Sequence, residues 1–225
     1  MANERQIPKT KEYLSNPLYW DIVYGYIQTN SEWDGIPGHP RILPKKKAIF
    51  TKVGEYLGLS RQTVGKHFKD LENGQKNDGT GLNLIRKLEN GDYEIAVLDA
   101  EVATLIDNNT LRVLTSACNE HTISIYVYLF SRWKASQEQE FVFTYEQLKK
   151  VIGIGYDSTS NNYIIKDILN VLCLMELLEI QADTELSYNG GYKTIFKVVK
   201  MRDNVTDKVT EALEARRVKN LDSGC

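Results

Sequence analysis

Cysteine and histidine are both scarce in this sequence of 225 residues. The three cysteines are Cys118, Cys173 and Cys225, and an odd, sparse set argues against a disulfide framework and fits a reducing compartment. None of the three histidines, at His39, His67 and His121, stands at metal-ligand spacing from a cysteine or another histidine. We therefore predict no metal site.

Long apolar runs are also missing. No stretch reaches the roughly 18 apolar residues of a membrane span, and the first residues, MANERQIPK, are too polar for a secretory signal. We therefore expect a cytoplasmic protein without a membrane partner. A hydrophobic fraction of 42% is ordinary for a globular chain, and 225 residues suit two small domains.

Signs of catalysis are weak. The sequence has no glycine-rich phosphate loop, since Gly153-Ile154-Gly155 alone is too short, and no histidine is paired with an obvious nucleophile. We expect no enzyme activity and no cofactor. A nuclease or relaxase is the enzyme alternative, which metal-dependent DNA nicking by the purified protein would support.

Positive charge is concentrated in one segment, although the formal net charge of the chain is -2. Residues 41–90 hold eleven Lys/Arg and five Asp/Glu, a net charge of +6, whereas the other 175 residues hold 17 and 25, a net charge of -8. A local basic region of this kind is typical of a surface that binds nucleic acid. The alternative is a lysine-rich helical region that is merely solvated.

Periodicity and turn residues predict the order helix, helix, turn, helix, hairpin in the first hundred residues. Asn16-Pro17 opens a helix that runs through Ile27, the proline-rich segment 31–44 is a loop, and helices follow over about 48–57 and 61–71. Asn90-Gly91 predicts a two-residue turn between strands 84–88 and 93–97. That turn places Lys87 opposite Glu94.

The second half repeats this order with different residues. Helices are predicted over about 121–134, from the capping box Thr144–Gln147 through 152, and over about 161–177, with Ile164, Ile168 and Leu172 facing inward. Strands follow at 179–188 and 192–200, around Asn189-Gly190-Gly191.

This order predicts an α+β fold, predominantly helical, with two tandem winged helix-turn-helix domains. The domains are expected at 1–99 and 100–203. A tail at 204–225 has helical spacing and docks on its own chain or on a second copy.

Residues 50–71, FTKVGEYLGLSRQTVGKHFKDL, resemble a bacterial helix-turn-helix. Gly58 occupies the tight turn, where a positive φ is predicted, and Ser60 caps the second helix. The apolar positions face the core and the turn; they are Val53, Leu57, Leu59, Val64, Phe68 and Leu71.

The opposite face of that second helix carries side chains suited to reading DNA. Gln pairs with adenine, Arg or Lys with guanine, and the Thr methyl contacts thymine, whereas lysines near the ends of the motif neutralise phosphates. The predicted DNA-binding residues are Lys45, Lys46, Lys47, Lys52, Ser60, Arg61, Gln62, Thr63, Lys66, Lys69, Arg86 and Lys87.

The corresponding region of the second half is less basic, since residues 100–200 hold nine basic and twelve acidic groups. Its hydroxyl and amide side chains form a second candidate DNA surface, consisting of Ser158, Thr159, Ser160, Asn161, Asn162 and Lys166. The alternative is a half that dimerises or binds a protein partner.

Two winged helices in one chain, the first more basic, resemble the replication initiators of bacterial plasmids and phages, over residues 16–97 and 121–200. The resemblance implies binding of double-stranded DNA at repeated origin sequences, monomer–dimer control, and recruitment of host helicase or primase. Only Arg61, Gln62, Thr63 and Lys66 match as recognition-helix positions. The turn expected at 153–160, which is longer than its counterpart at 58–60, and the acidic second half depart from a symmetric reader.

Two other functions are compatible with the same residues. A transcriptional regulator would use the first half on DNA and the second for dimerisation or ligand sensing, with half-sites about one helical turn apart. An acidic winged-helix scaffold would bind protein, and would keep its partner after losing DNA binding.

Overall fold

The computed structural model describes residues 4–8, 22–73, 83–98, 103–155, 161–186, 192–206 and 211. The helix opening expected at Asn16-Pro17, the second turn sequence Asn189-Gly190-Gly191 and most of the tail lie outside these residues. The chain is α+β and divides into two compact units, residues 1–123 and 124–225. No described helix combines the length and the apolar character needed to span a bilayer.

Unit 1 (residues 1–123) combines helices with two small antiparallel sheets. In chain order its elements are β1 (Glu4–Pro8), α1 (Ile22–Asn30), β2 (Arg41–Leu43), a 3₁₀ turn (Lys45–Lys47), α2 (Phe50–Leu57), α3 (Arg61–Asn73), β3 (Ile85–Lys87), β4 (Tyr93–Ile95), β5 (Ala103–Asp107) and α4 (Asn108–Ala117). The strand order is β2-β4-β3 in one sheet, and β1 pairs with β5 in the other.

The segment 31–44, expected to be a loop, contains strand β2. Its Arg41 and Leu43 pair with Ile95 and Tyr93 of β4, so this short strand forms one edge of the three-stranded sheet. A three-residue strand beside three prolines carries too little alternation for the sequence pattern to reveal it.

The hairpin register differs from the expected one. Arg86, not Lys87, lies opposite Glu94, and a nitrogen of its guanidinium donates to both carboxylate oxygens at 2.8 and 3.0 Å. The N–H of Gly91 donates to the Leu88 carbonyl, and only Gly91 has a positive φ, of 87°. The loop therefore has three residues, a turn followed by a left-handed glycine, and shifts the pairing by one.

The first unit extends beyond the boundary expected at 99/100. Strand β1 pairs with β5 over its whole length, from Glu4 with Asp107 to Pro8 with Ala103. The Gln6 side chain accepts from the N–H of Leu98 and donates to its carbonyl, at 2.8 and 2.7 Å. These contacts tie residues 103–107 to the first unit, and the division falls at residues 123/124, within the next helix.

Unit 2 (residues 124–225) repeats the succession that α1, β2, α2, α3, β3 and β4 form in unit 1. Most of helix α5 (Glu120–Ala135) belongs to this unit. It is followed by β6 (Phe141–Thr144), α6 (Tyr145–Val151), α7 (Asn162–Leu174), β7 (Leu178–Leu186) and β8 (Tyr192–Met201). The strand order in the sheet is β6-β8-β7. The capping box predicted at Thr144 is confirmed, since its hydroxyl accepts from the N–H of Gln147 and the Gln147 side chain accepts from the N–H of Thr144.

Helix α7 ends at Leu174, three residues earlier than predicted. Glu176 adopts a left-handed conformation, with φ 57°, and the N–H of Leu177 donates to the Leu172 carbonyl. The left-handed residue at a helix end is usually glycine. Because glutamate occupies it here, the sequence pattern did not reveal where the helix ends. On this helix Ile168 and Leu172 are buried as expected. Ile164, which was also expected to face inward, is only half-buried, and its neighbour Ile165 is buried instead.

Burial makes the two described thiols poor nucleophiles. Burial raises the pKa of Cys118 to about 11, and burial together with Glu179 raises the pKa of Cys173. At pH 8 a thiol of pKa about 11 is only about 0.1% thiolate, the species that reacts.

We therefore expect Cys118 to react slowly with a disulfide reagent such as DTNB. In a Cys173→Ser/Cys225→Ser chain at pH 8, its rate should fall well below the rate in denaturant and should rise with pH through pH 10. A rate equal to that of the unfolded chain would contradict the burial of this thiol.

Candidate nucleic-acid interface

The α2–turn–α3 segment has the geometry that the motif predicted. Gly58 ends α2 in the left-handed region, with φ 70°, and its N–H donates to the Gly54 carbonyl. The Oγ of Ser60 accepts from the N–H of Thr63 at 3.0 Å and therefore caps α3. The turn glycine and the cap are thus confirmed.

Gly54 is a second requirement of this turn, which the sequence analysis missed. A Cβ built at this position would lie 2.4 Å from the carbonyl oxygen of Leu59. The same residues are joined by a hydrogen bond, from the N–H of Leu59 to the Gly54 carbonyl at 2.9 Å. The backbone of the turn therefore packs directly on α2, and a glycine four residues before the turn glycine is the signal that marks it.

An aromatic cluster behind the turn joins α2, α3 and the hairpin. The ring of Phe68 on α3 lies 4.9 Å from Phe50 on α2 and 5.0 Å from Tyr93 on β4, between ring centroids. Val64 and Leu71 are buried beside Phe68, as the apolar stripe predicted. This cluster fixes which side of α3 faces solvent.

The outward face of α3 is basic and amide-bearing. Arg61, Gln62, Lys66 and Lys69 are exposed on it, and the exposed residues of this helix include no carboxylate, since Asp70 is buried and Glu72 is half-buried. Thr63 is half-buried, and its hydroxyl lies 2.8 Å from the Oγ of Ser60. The helix therefore presents positive charges and an amide group to solvent, while Ser60 and Thr63 stabilise its first turn.

Three further lysines are exposed on neighbouring elements of unit 1. Lys45 and Lys46 belong to the 3₁₀ turn and Lys52 to α2. The side chain of Lys45 passes the hairpin turn, because its Cδ lies 3.6 Å from the position that a Cβ on Gly91 would occupy. The structure thus brings this lysine together with the hairpin.

Two of the basic side chains that were expected to bind DNA, Lys47 and Arg86, form ion pairs within the protein. The Nζ of Lys47 donates to a carboxylate oxygen of Glu32 at 3.0 Å and to the Asn30 carbonyl at 3.1 Å. Its carbonyl accepts from the Tyr26 hydroxyl at 3.0 Å. Arg86 is paired with Glu94, as described above. Lys87 on β3 remains exposed, so the hairpin offers less positive charge than its sequence indicated.

Asp92 holds the hairpin against the 3₁₀ turn and was also missed. Its Oδ1 accepts from the N–H of Lys45, and its Oδ2 from the side-chain amide of Asn90, both at 2.8 Å. An aspartate directly after Asn-Gly is a typical turn residue. The sequence pattern therefore does not reveal its hydrogen bond to Lys45, 47 positions earlier.

The second candidate surface is only partly described. Ser158, Thr159 and Ser160 lie outside the described residues. Lys166 is exposed, whereas Asn161 and Asn162 are half-buried, and the Asn161 side chain donates to the Gly155 carbonyl at 3.4 Å. Of the predicted set, one cation therefore lies on the outer face of α7.

Neither unit shows a metal centre among its described residues, which contain no group of three or more His, Cys, Asp or Glu placed to hold an ion. Unit 1 has a cavity of about 320 Å³ with mainly apolar walls, lined in part by Trp33, Arg41, Ile95, Val97 and Leu105. Polar side chains line it as well, namely Glu4, Gln6, Gln28 and His39.

No protein-family model matches the chain, and no curated protein matches it at a significant level. The α3 face (Arg61, Gln62, Lys66 and Lys69) and its surroundings are therefore the features of the molecule that bear on its function.

The close approach at Gly54 gives a test of this geometry. We expect Gly54→Ala to lower the melting temperature, by an overpacking cost of about 1–3 kcal/mol, although alanine favours a helix interior over glycine. Thr51→Ala, at an exposed position of the same helix, is the matched control and should leave the melting temperature unchanged or higher. A Gly54→Ala protein as stable as the wild type would show that the turn does not pack on α2 in this way.

Proposed function

We propose that each unit is a winged helix and that unit 1 reads the sequence of double-stranded DNA with α3. In unit 1 the order α1, β2, α2, α3, β3, β4, with strand order β2-β4-β3, supports the first part of the proposal. In a helix-turn-helix the second helix enters the major groove, and its N-terminal turns contact base edges.

The observation that carries the proposal is the α3 face. Its three cations and one amide lie on the solvent side of a helix whose opposite side is locked into the aromatic cluster. The major groove presents acceptors at guanine and a donor–acceptor pair at adenine, which guanidinium, ammonium and amide groups bind directly.

Roles within the interface follow from position and partners. Arg61, Gln62 and Lys66, in the first turns of α3, contact bases, whereas Lys69 and the exposed Lys45, Lys46, Lys52 and Lys87 contact phosphates. Lys47 and Arg86 mainly stabilise unit 1 through Glu32 and Glu94.

For the biological role we propose replication initiation on a plasmid or phage origin, with host replication proteins as further partners. The tandem arrangement of two similar units supports it. A transcriptional regulator is the second candidate. Exposed apolar side chains of unit 2 favour it, because a regulator needs a dimerising half; they are Val142, Tyr163, Val171 and Leu174. Direct repeats among the bound sites would indicate an initiator, and inverted repeats a regulator.

The test is the selection of bound sequences from a random duplex pool. We expect the wild-type chain to enrich a defined motif, and the Arg61→Ala/Lys66→Ala variant to lose that enrichment. Arg112→Ala/Lys200→Ala removes the same formal charge at exposed positions on other elements, α4 and β8, and should retain the motif.

Affinity at several salt concentrations separates base reading from charge alone. Log K falls with log salt, and each lost phosphate contact makes this negative slope shallower by about 0.9. The control variant, Arg112→Ala/Lys200→Ala, should therefore keep the wild-type slope. No enriched sequence, or equal losses in both double variants, would overturn sequence reading by α3.

A further inference from the structure

The cavity of unit 1 lies where strands from both of its sheets meet the loop before β2. Arg41 of β2 and Ile95 of β4 line it and are paired in one sheet. Gln6 of β1 and Leu105 of β5 also line it and are paired in the other sheet. Its volume of about 320 Å³ is at the small end of the range of small-molecule sites, roughly 300–1,000 Å³.

Hydrogen bonds hold the walls of this cavity in place. The Gln6 side chain is bound to the backbone of Leu98, which fixes the segment after β4 beside β1. In the loop, the indole N–H of Trp33 donates to the Ile36 carbonyl at 3.1 Å, and the N–H of Ile36 donates to an Asp34 carboxylate oxygen at 3.0 Å. Because these walls are already ordered, a ligand does not have to supply the free energy for ordering them.

Gln28 of α1 brings a buried acceptor to the cavity. This residue is 2% exposed, and its amide nitrogen donates to the Tyr24 hydroxyl at 2.6 Å. Its amide oxygen has no hydrogen-bond partner among the residues that the structure describes. A buried carbonyl oxygen without a donor is a position where an N–H of a ligand gains a hydrogen bond.

Two opposite charges also line the cavity. Glu4 of β1 is an exposed carboxylate, and the Arg41 guanidinium lies 5.8 Å from the ring centroid of Trp33. Burial lowers the pKa of Arg41. Burial and then the charge of Arg41 lower the pKa of Arg5 to about 10, which Asp107 only partly offsets. Two guanidinium groups that repel each other are stabilised by an anion beside them.

Apolar side chains complete the walls and are about half exposed. Val97 is 55% exposed and Leu105 is 51% exposed, and an apolar group bound in the cavity would cover them. A ligand with only a negative charge would meet the Glu4 carboxylate, and a ligand with only a positive charge would meet Arg41. A molecule with both charges and an apolar side group matches all of these walls.

We infer that this cavity binds a free amino acid with an apolar side chain. The Arg41 guanidinium binds the carboxylate of the ligand. The ammonium of the ligand donates to the amide oxygen of Gln28 and is attracted by the Glu4 carboxylate, and its side chain packs on the apolar wall. Hydrogen bonds to charged groups are about twice as strong as neutral ones, so these contacts select a zwitterion.

The inference goes beyond the proposed DNA-binding function and does not depend on it. None of the residues that line the cavity belongs to α3. The binding measurement uses no DNA, so a chain that reads no DNA sequence would still bind the amino acid.

Isothermal titration calorimetry of the full chain tests the site with leucine, methionine, phenylalanine and tryptophan as probes. We expect at least one of them to bind with a Kd of about 1 mM or tighter, and serine and glutamate not to bind. For the amino acid that binds, the analogue without its amino group and the analogue without its carboxyl group should each bind at least about tenfold more weakly. Each analogue lacks a charge-assisted hydrogen bond.

Matched changes in protein and ligand test the assigned contacts. Arg41→Gln should weaken binding of the amino acid at least about tenfold but not binding of the amine analogue. Glu4→Gln should weaken the amino acid about two- to fivefold, as for an exposed ion pair, but not the acid analogue. Arg112→Gln on α4 and Glu55→Gln on α2 remove the same charges at exposed positions and should bind like the wild type.

Binding of none of the four apolar amino acids would overturn the inference. So would analogues that bind as tightly as the amino acid, or a loss in Arg41→Gln that is the same for the amine analogue. Circular dichroism melting checks that each variant is folded. If Arg41→Gln is unfolded, Glu4→Gln provides the same comparison for the ammonium, and an unchanged affinity of the amino acid for the folded Glu4→Gln chain would contradict the assignment.

Discussion

The packing of Phe68 between Phe50 and Tyr93 is the contact on which the candidate interface depends. Phe68 is 2% exposed, and its ring joins α3 to α2 on one side and to the hairpin on the other. Because α3 is held from both directions, its rotation about its own axis is set, and Arg61, Gln62, Lys66 and Lys69 must face solvent. The hairpin is held in turn by Asp92, which accepts from the backbone of Lys45. The core of unit 1 and the presentation of its basic face thus have one physical cause.

The two units show how similar interiors support different surfaces. In α3 and α7 the buried residues repeat with the same spacing, since both helices pack on a neighbouring helix and a small sheet. The outer residues are not bound by that requirement, so lysine and glutamine on α3 correspond to aspartate, asparagine and tyrosine on α7. Function belongs to these outer faces and not to the order of elements. The local charge of +6 in residues 41–90 is placed on the unit whose outer helix face is basic.

The sequence predicted the elements whose signals are local. Gly58 with Ser60 marked the turn, the stripe Val64, Phe68, Leu71 marked the buried side of α3, and Thr144 with Gln147 marked the start of α6. It missed what depends on distant partners: β2 pairs with β4 across some fifty residues, β1 with β5 across about a hundred, and Glu94 selects Arg86 only because the hairpin loop has three residues. The same limit applied to the site. Lys47 is expected at phosphate because it lies in the lysine run beside the motif, and a sequence pattern does not reveal its carboxylate partner, Glu32, fifteen positions earlier in the predicted loop.

The central claim is that α3 lies in the major groove and contacts base edges there. Methylation interference on a selected binding site tests it most directly, because dimethyl sulfate modifies guanine N7 in the major groove and adenine N3 in the minor groove. If α3 reads the major groove, methylation of guanine N7 should block binding at one or more positions of each site. This interference should disappear in the Arg61→Ala/Lys66→Ala variant where residual binding is measurable. Interference confined to adenine N3, or none at all on a tightly bound site, would contradict it.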